Sequence, residues 1–92
     1  MREVDPYVTM RSADIPRRIV FFNTVTNNYL LVIEGYCGIE DVSHHRYIDI
    51  ICKVGDSSYK RHRFGLSKYV SYFVEQIDPP DEEPFLYRVI YY

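Results

Sequence analysis

The cysteines and histidines are the side chains in this sequence best suited to metal binding or nucleophilic catalysis. There are two cysteines, Cys37 and Cys52, and three histidines, of which His44 and His45 are adjacent. Neither the C-x₂-C nor the H-x₃-H spacing that is typical of zinc sites occurs. We therefore predict no metal site and no cofactor, and we interpret both cysteines as small buried hydrophobic residues with free thiols.

A nucleophilic site can be assembled from one segment, which contains Cys37, Asp41, His44 and His45. Catalysis would require a base within hydrogen-bonding distance of the thiol and a third group to orient that base. Closeness in sequence does not supply this geometry, and a chain of 92 residues has little volume for an enclosed pocket. We interpret these residues as part of a solvated loop and predict that the protein is not an enzyme.

The basic segment at residues 60–63 reads Lys-Arg-His-Arg and lies between Tyr59 and Phe64. Basic residues next to aromatic rings are typical of single-strand nucleic-acid binding, because phosphates contact the charges and bases stack on the rings. The same pattern is typical of a charged edge strand that resists aggregation. The formal net charge of −2 argues against a general nucleic-acid binder. Single-stranded nucleic-acid binding through residues 59–64 is thus the alternative function, with Arg17 and Arg18 alongside if the two edges meet.

The aromatic content favours a protein-binding function. Ten tyrosines and five phenylalanines exceed what one small core can absorb, so several tyrosines are expected at the surface. Exposed tyrosine is common at protein interfaces. We predict a small non-enzymatic protein that acts through a Tyr-rich surface on another protein, as an adaptor, a subunit, or a viral or phage inhibitor of a host complex. The predicted binding residues are Tyr59, Lys60, Arg61, Arg63, Tyr87 and Tyr91.

Four strands are predicted in the first two thirds of the chain. Residues 19–22 and 29–33 are apolar runs separated by a Thr/Asn-rich turn, which is typical of a β-hairpin. The second run is apolar on both faces, which indicates a central strand. Residues 47–54 alternate as a strand with one buried face, and residues 59–64 form a short edge strand. The stretch from Gly35 to His45 is interpreted as a loop.

One helix is predicted after Gly65, because apolar residues recur there with helical spacing. They are Leu66, Tyr69, Val70, Phe73, Val74 and Ile77. Pro79 and Pro80 would end this helix, and residues 85–92 would form a last strand. The predicted fold class is α+β: an antiparallel four- or five-stranded sheet with one helix packed across a face, in the order β-β-β-β-α-β.

The predicted organisation is an extended N-terminal arm, residues 1–16, followed by a single α+β domain, residues 17–92. We find no signal peptide or long apolar run, and two cysteines are too few for a disulfide framework. These observations favour a cytoplasmic protein without membrane contact. The strand at residues 85–92 would be a long hydrophobic edge, so we expect it to be covered by the arm, by a partner protein or by a second copy in a homodimer.

Overall fold

The described residues form a single antiparallel sheet of six strands. The computed structural model describes residues 13–42, 46–78 and 86–92. The strands are β1 Pro16–Asn23, β2 Tyr29–Val42, β3 Tyr47–Lys53, β4 Tyr59–Gly65, β5 Val70–Gln76 and β6 Tyr87–Tyr91. No helix occurs in these three ranges, so the described part of the chain is all-β rather than α+β.

The predicted helix is wrong. Ser67 to Tyr69 form a turn, in which the Val70 amide donates to the Ser67 carbonyl at 3.1 Å. The residues that follow are β5, which pairs antiparallel with β1 along its whole length. Aromatic and β-branched residues such as Tyr72, Phe73 and Val74 favour strands, and pairing satisfies an edge of β1 that would otherwise be open. Long-range pairing therefore outweighs the helical spacing of the apolar residues.

Strand β2 is the centre of the sheet, as its apolar faces predict. Residues Leu31 to Gly35 pair with both β1 and β6, so these two strands lie on opposite edges of β2. Tyr36 pairs with Pro16 of β1 and with Lys53 of β3, so β3 follows β6 along the same edge. The predicted loop after Gly35 is wrong, because β2 continues through both glycines to Val42. Gly35 and Gly38 had been interpreted as residues of a loop that ends the strand.

The sheet curls so that its two outer regions share one core. The rings of Phe21 in β1 and Phe64 in β4 stack with centroids 4.4 Å apart, although β2 and β3 separate these strands in the sheet. We call the enclosed side the concave face and the other side the convex face. The buried core lies on the concave face and consists of Ile19, Phe21, Leu31, Ile33, Cys37, Ile39, Ile48, Ile50 and Cys52.

The register between β2 and β3 places Cys37 directly opposite Cys52, and the two form a disulfide. Their Cα atoms are 4.0 Å apart. The prediction of free thiols is therefore wrong, whereas the predicted burial of both side chains is confirmed. The pairing was missed because Cys37 was assigned to a loop, where it has no partner across a strand. The disulfide fastens the centre of the sheet to the β3–β4 hairpin.

The C-terminal strand is present as β6, and its Tyr87 and Val89 pack against the core. Among the described strands it pairs only with β2, so its second edge meets none of them. Residues 1–12 of the predicted arm lie outside the described residues, and Pro16 already belongs to β1. Homodimerisation through β6 stays a prediction.

Candidate protein-binding surface

The predicted binding residues on β4 divide between the two faces of the sheet, because neighbouring side chains of a strand point to opposite sides. Tyr59, Arg61 and Arg63 lie on the convex face with Asp49 of β3. Lys60 lies on the concave side. A single ligand on one face therefore contacts only part of the predicted set.

On the convex face, Arg63 is already engaged. Its Nε donates to Asp49 Oδ1 at 2.8 Å, its second terminal nitrogen donates to Oδ2 at 3.2 Å, and its guanidinium lies 4.2 Å from the Tyr47 ring centroid. This double hydrogen bond lowers the pKa of Asp49 and raises the pKa of Arg63. Within the described residues the Arg61 side chain has no hydrogen bond or ion pair, and it acts on Asp49 only through longer-range attraction. Arg61 is thus the available cation of β4 on this face.

On the concave face, Lys60 and His62 meet Tyr87 of β6. The Lys60 ammonium lies 5.5 Å from the Tyr87 ring centroid, and His62 Nε2 is hydrogen-bonded to the Tyr87 hydroxyl. Burial raises the pKa of Tyr87, and burial together with the Lys60 charge lowers the pKa of His62. Tyr91 lies at the other end of β6 and is 77% exposed. The six predicted residues therefore do not form one continuous surface.

We expect His62 to titrate below its ordinary pKa of 6.5, and Lys60→Met to raise that pKa because it removes a nearby positive charge. Since the folded protein resists protonation of His62, stability should fall as the pH drops below 6.5 towards the folded-state pKa. NMR titration of the His62 ring measures the pKa in each protein, and urea denaturation at several pH values measures the stability. Lys68→Met, in the exposed turn before β5, is the matched control. An unchanged His62 pKa in Lys60→Met would contradict the effect of the Lys60 charge on His62.

Arg17 and Arg18 do not extend the basic segment, because β2 and β3 separate β1 from β4. Arg17 is buried and donates to the Cys37 carbonyl, and burial lowers its pKa. Arg18 pairs with Glu75 at 3.2 Å and lies 3.6 Å from Glu34. The hydrogen bond to Glu75 is the main cause of its raised pKa. Both arginine side chains therefore make their contacts with other residues of the sheet.

A cluster of aromatic rings that was not predicted lies on the convex face. Phe22 and Phe73 have ring centroids 6.0 Å apart, Phe73 and Tyr29 6.3 Å, and Tyr29 and Tyr92 5.9 Å. Tyr29 is 45% exposed, Phe73 39% and Tyr92 71%. We call these four residues the aromatic surface.

The aromatic surface depends on a local irregularity of the sheet. The register between β1 and β2 shifts after Phe21, so that Phe22 pairs with Tyr29 and Leu30 has no partner residue in β1. Such a bulge changes the face to which the following side chain points. It brings Tyr29 to the same face as Phe22. The cluster could not be predicted from local sequence patterns because its rings come from β1, β2, β5 and the residue after β6.

The aromatic surface is supported by buried valine side chains and by a hydrogen-bonded turn. Val20 and Val32 lie on the convex face and outside the main core, yet they are only 1% and 4% exposed. The adjoining turn is held by Asn23, whose Oδ1 accepts hydrogen bonds from the Val25 and Thr26 amides. Val25 in this turn is 69% exposed and adds apolar area at the rim. The rings are therefore displayed on an ordered sheet end.

The described residues contain no group of three or more metal-ligating side chains. A hollow of about 110 Å³ beside Gly38 and Ile51 is smaller than ordinary ligand pockets. The sulfur of Cys37 is bonded to Cys52, while His44 and His45 of the nucleophile hypothesis lie outside the described residues. None of the described elements is a helix long and apolar enough to cross a membrane.

The geometry is that of a small all-β protein with an exposed aromatic sheet face. Residues 12–92 match the family described as Mycobacterium phage VG64, and the chain belongs to that family. It is 46% identical over 76 residues to the Gene 64 protein of Mycobacterium phage D29, which is 83% of this chain and 54% of that protein. It is 45% identical to the Gene 64 protein of Mycobacterium phage L5, over 83% of this chain and 59% of that protein.

The chain therefore spans little more than half the length of these relatives. No solved structure matches it. The viral or phage origin, which was one of three alternatives drawn from the sequence, is confirmed by the family. The inhibitor role and the binding function stay predictions.

Proposed function

We propose that this phage protein is a non-enzymatic binding protein that docks another protein on the aromatic surface. The proposal rests on one observation, which is that four partly exposed rings lie next to each other on one face of the sheet. Aromatic residues are enriched at interfaces and dominate the binding energy of many of them, since they bury large areas with few rotatable bonds. A monomer rarely displays such a cluster without a function.

The fixed backbone beneath the rings and the charged residues near them favour the docking of a protein on the aromatic surface. The backbone that carries the rings is fixed by pairing between β1 and β2 and between β1 and β5, so little order has to be gained on binding. Arg18, with Glu34 and Glu75, forms a charged group on the same face. An apolar centre with a polar rim is the usual anatomy of a protein interface.

Substitution of two rings tests the proposal. We expect Tyr29→Ser/Phe73→Ser to lose its partner in affinity purification from phage-infected mycobacterial cells, because the centre of the apolar contact is removed. Tyr59→Ser is the matched control, since Tyr59 is 57% exposed on distant β4. Quantitative mass spectrometry compares the three samples. Equal recovery of the same proteins by both variants would contradict the proposal.

A homodimer is the other outcome that these variants detect. If the aromatic surface joins two copies, light scattering will show a wild-type dimer and a monomeric Tyr29→Ser/Phe73→Ser variant. A wild type that is monomeric across a hundredfold range of concentration excludes this outcome.

Single-stranded nucleic-acid binding has less support, because the cations of β4 are divided between two faces.

A further inference from the structure

The free edge of β4 has a distinctive charge. Among the described strands β4 pairs only with β3, so the backbone groups along its other edge have no strand partner there. Its seven residues include Lys60, Arg61 and Arg63 and no acidic residue. Positive charge on an edge strand discourages random pairing, and it also selects the charge of any strand that does pair.

The cations of β4 point to both sides of the sheet. Lys60 lies on the concave side, whereas Arg61 and Arg63 lie on the convex side. Arg63 is neutralised by Asp49, but Arg61 has no ion pair among the described residues, and Lys60 contacts only a ring. A ligand lying on one face would reach one of these two cations. A strand lying beside β4 in the plane of the sheet would reach both.

We propose that the free edge of β4 binds an acidic extended segment of another protein by strand addition. Backbone hydrogen bonds along the edge would hold the segment, and carboxylates on its two faces would meet Arg61 and Lys60. The site lies on other residues than the aromatic surface, so it can fail or hold independently of the proposed function.

A nucleic acid and the β5 edge fit less well. Of the rings beside the β4 cations Tyr59 is exposed, but Arg63 covers Tyr47 at 4.2 Å and Lys60 with His62 contacts Tyr87, so these two rings are not open for base stacking. The free edge of β5 contains Glu75 and no basic residue, so it would repel an acidic segment. An acidic strand therefore distinguishes β4 from β5.

The probe is a capped ten-residue peptide in which pairs of glutamates alternate with pairs of valines, so that both faces of its strand carry carboxylates. It is titrated into the ¹⁵N-labelled chain. We expect amide shifts centred on residues 59–65 and binding that weakens as salt rises. Arg61→Glu should weaken binding about tenfold or more, because like charges then oppose each other. Arg88→Glu, on the exposed side of β6, is the matched control and should bind normally.

A second peptide separates strand addition from simple charge attraction. It has the same sequence with an N-methyl group on every backbone nitrogen, so it keeps every carboxylate but has no amide hydrogen to donate along either edge. We expect it to lose binding, because strand addition depends on backbone hydrogen bonds. Equal binding of the two peptides would overturn the proposal. Shifts centred outside β4 would also overturn it, as would binding of oligothymidine in place of the glutamate peptide.

Discussion

Loss of the Cys37–Cys52 disulfide should give the largest drop in stability of any change considered for this chain. The two cysteines are 15 residues apart, and closing a loop of that size lowers the entropy of the unfolded chain by an amount worth about 3 kcal/mol. Small domains are stabilised by only about 5–15 kcal/mol in total. We therefore expect Cys37→Ala/Cys52→Ala to lose a large part of its free energy of unfolding.

Chemical denaturation measures this loss, and reduction of the wild type with dithiothreitol is the internal control. The reduced wild type and the double variant should unfold at similar denaturant concentrations, both well below the oxidised protein. Alkylation under native conditions should label no cysteine, because both belong to the disulfide and are buried. Two alkylated cysteines in a fully stable protein would contradict the structure.

Gly35→Ala should be the second most damaging change, because there is no room for a methyl group at this position. A Cβ on Gly35 would lie 2.8 Å from the Leu86 carbonyl oxygen and 3.3 Å from the sulfur of Cys37. Neither neighbour can move easily, since one is backbone leading into β6 and the other is held in the disulfide. The β2–β6 pairing must shift, and overpacking of this kind costs about 1–3 kcal/mol.

Gly65→Ala is the matched control. Gly65 also lies in a strand, but a Cβ there meets nothing within 4 Å, and no described glycine has a positive φ. Its substitution should change the free energy of unfolding by about 0.5 kcal/mol or less. Thermal or urea unfolding of the two variants provides the comparison. Equal stabilities would mean that β6 does not approach β2 at Gly35.

The local parts of the fold could be predicted from the sequence. The β1–β2 hairpin follows from two apolar runs around a Thr/Asn turn, and β3 follows from strict alternation ending near Lys53. The edge position of β4 follows from its charge. In each case the signal lies within a few residues of the element that it specifies.

The remaining parts depend on partners that are distant in sequence. The residues of β5 have an apolar stripe with helical spacing, and only pairing with β1 makes them a strand. The disulfide requires Cys37 and Cys52 to be opposite each other, which depends on the register of β2 with β3. The aromatic surface further requires the bulge after Phe21. None of these registers is encoded by local spacing.

The proposed docking of a partner protein on the aromatic surface is tested most directly by photo-crosslinking in infected cells. A photoreactive phenylalanine replaces Phe73 in one sample and the more exposed but distant Tyr59 in another. We expect one discrete crosslinked protein from position 73 that is absent from position 59 and is lost when Tyr29→Ser is added. Crosslinks that are the same from both positions, or no crosslink from position 73, would contradict the account.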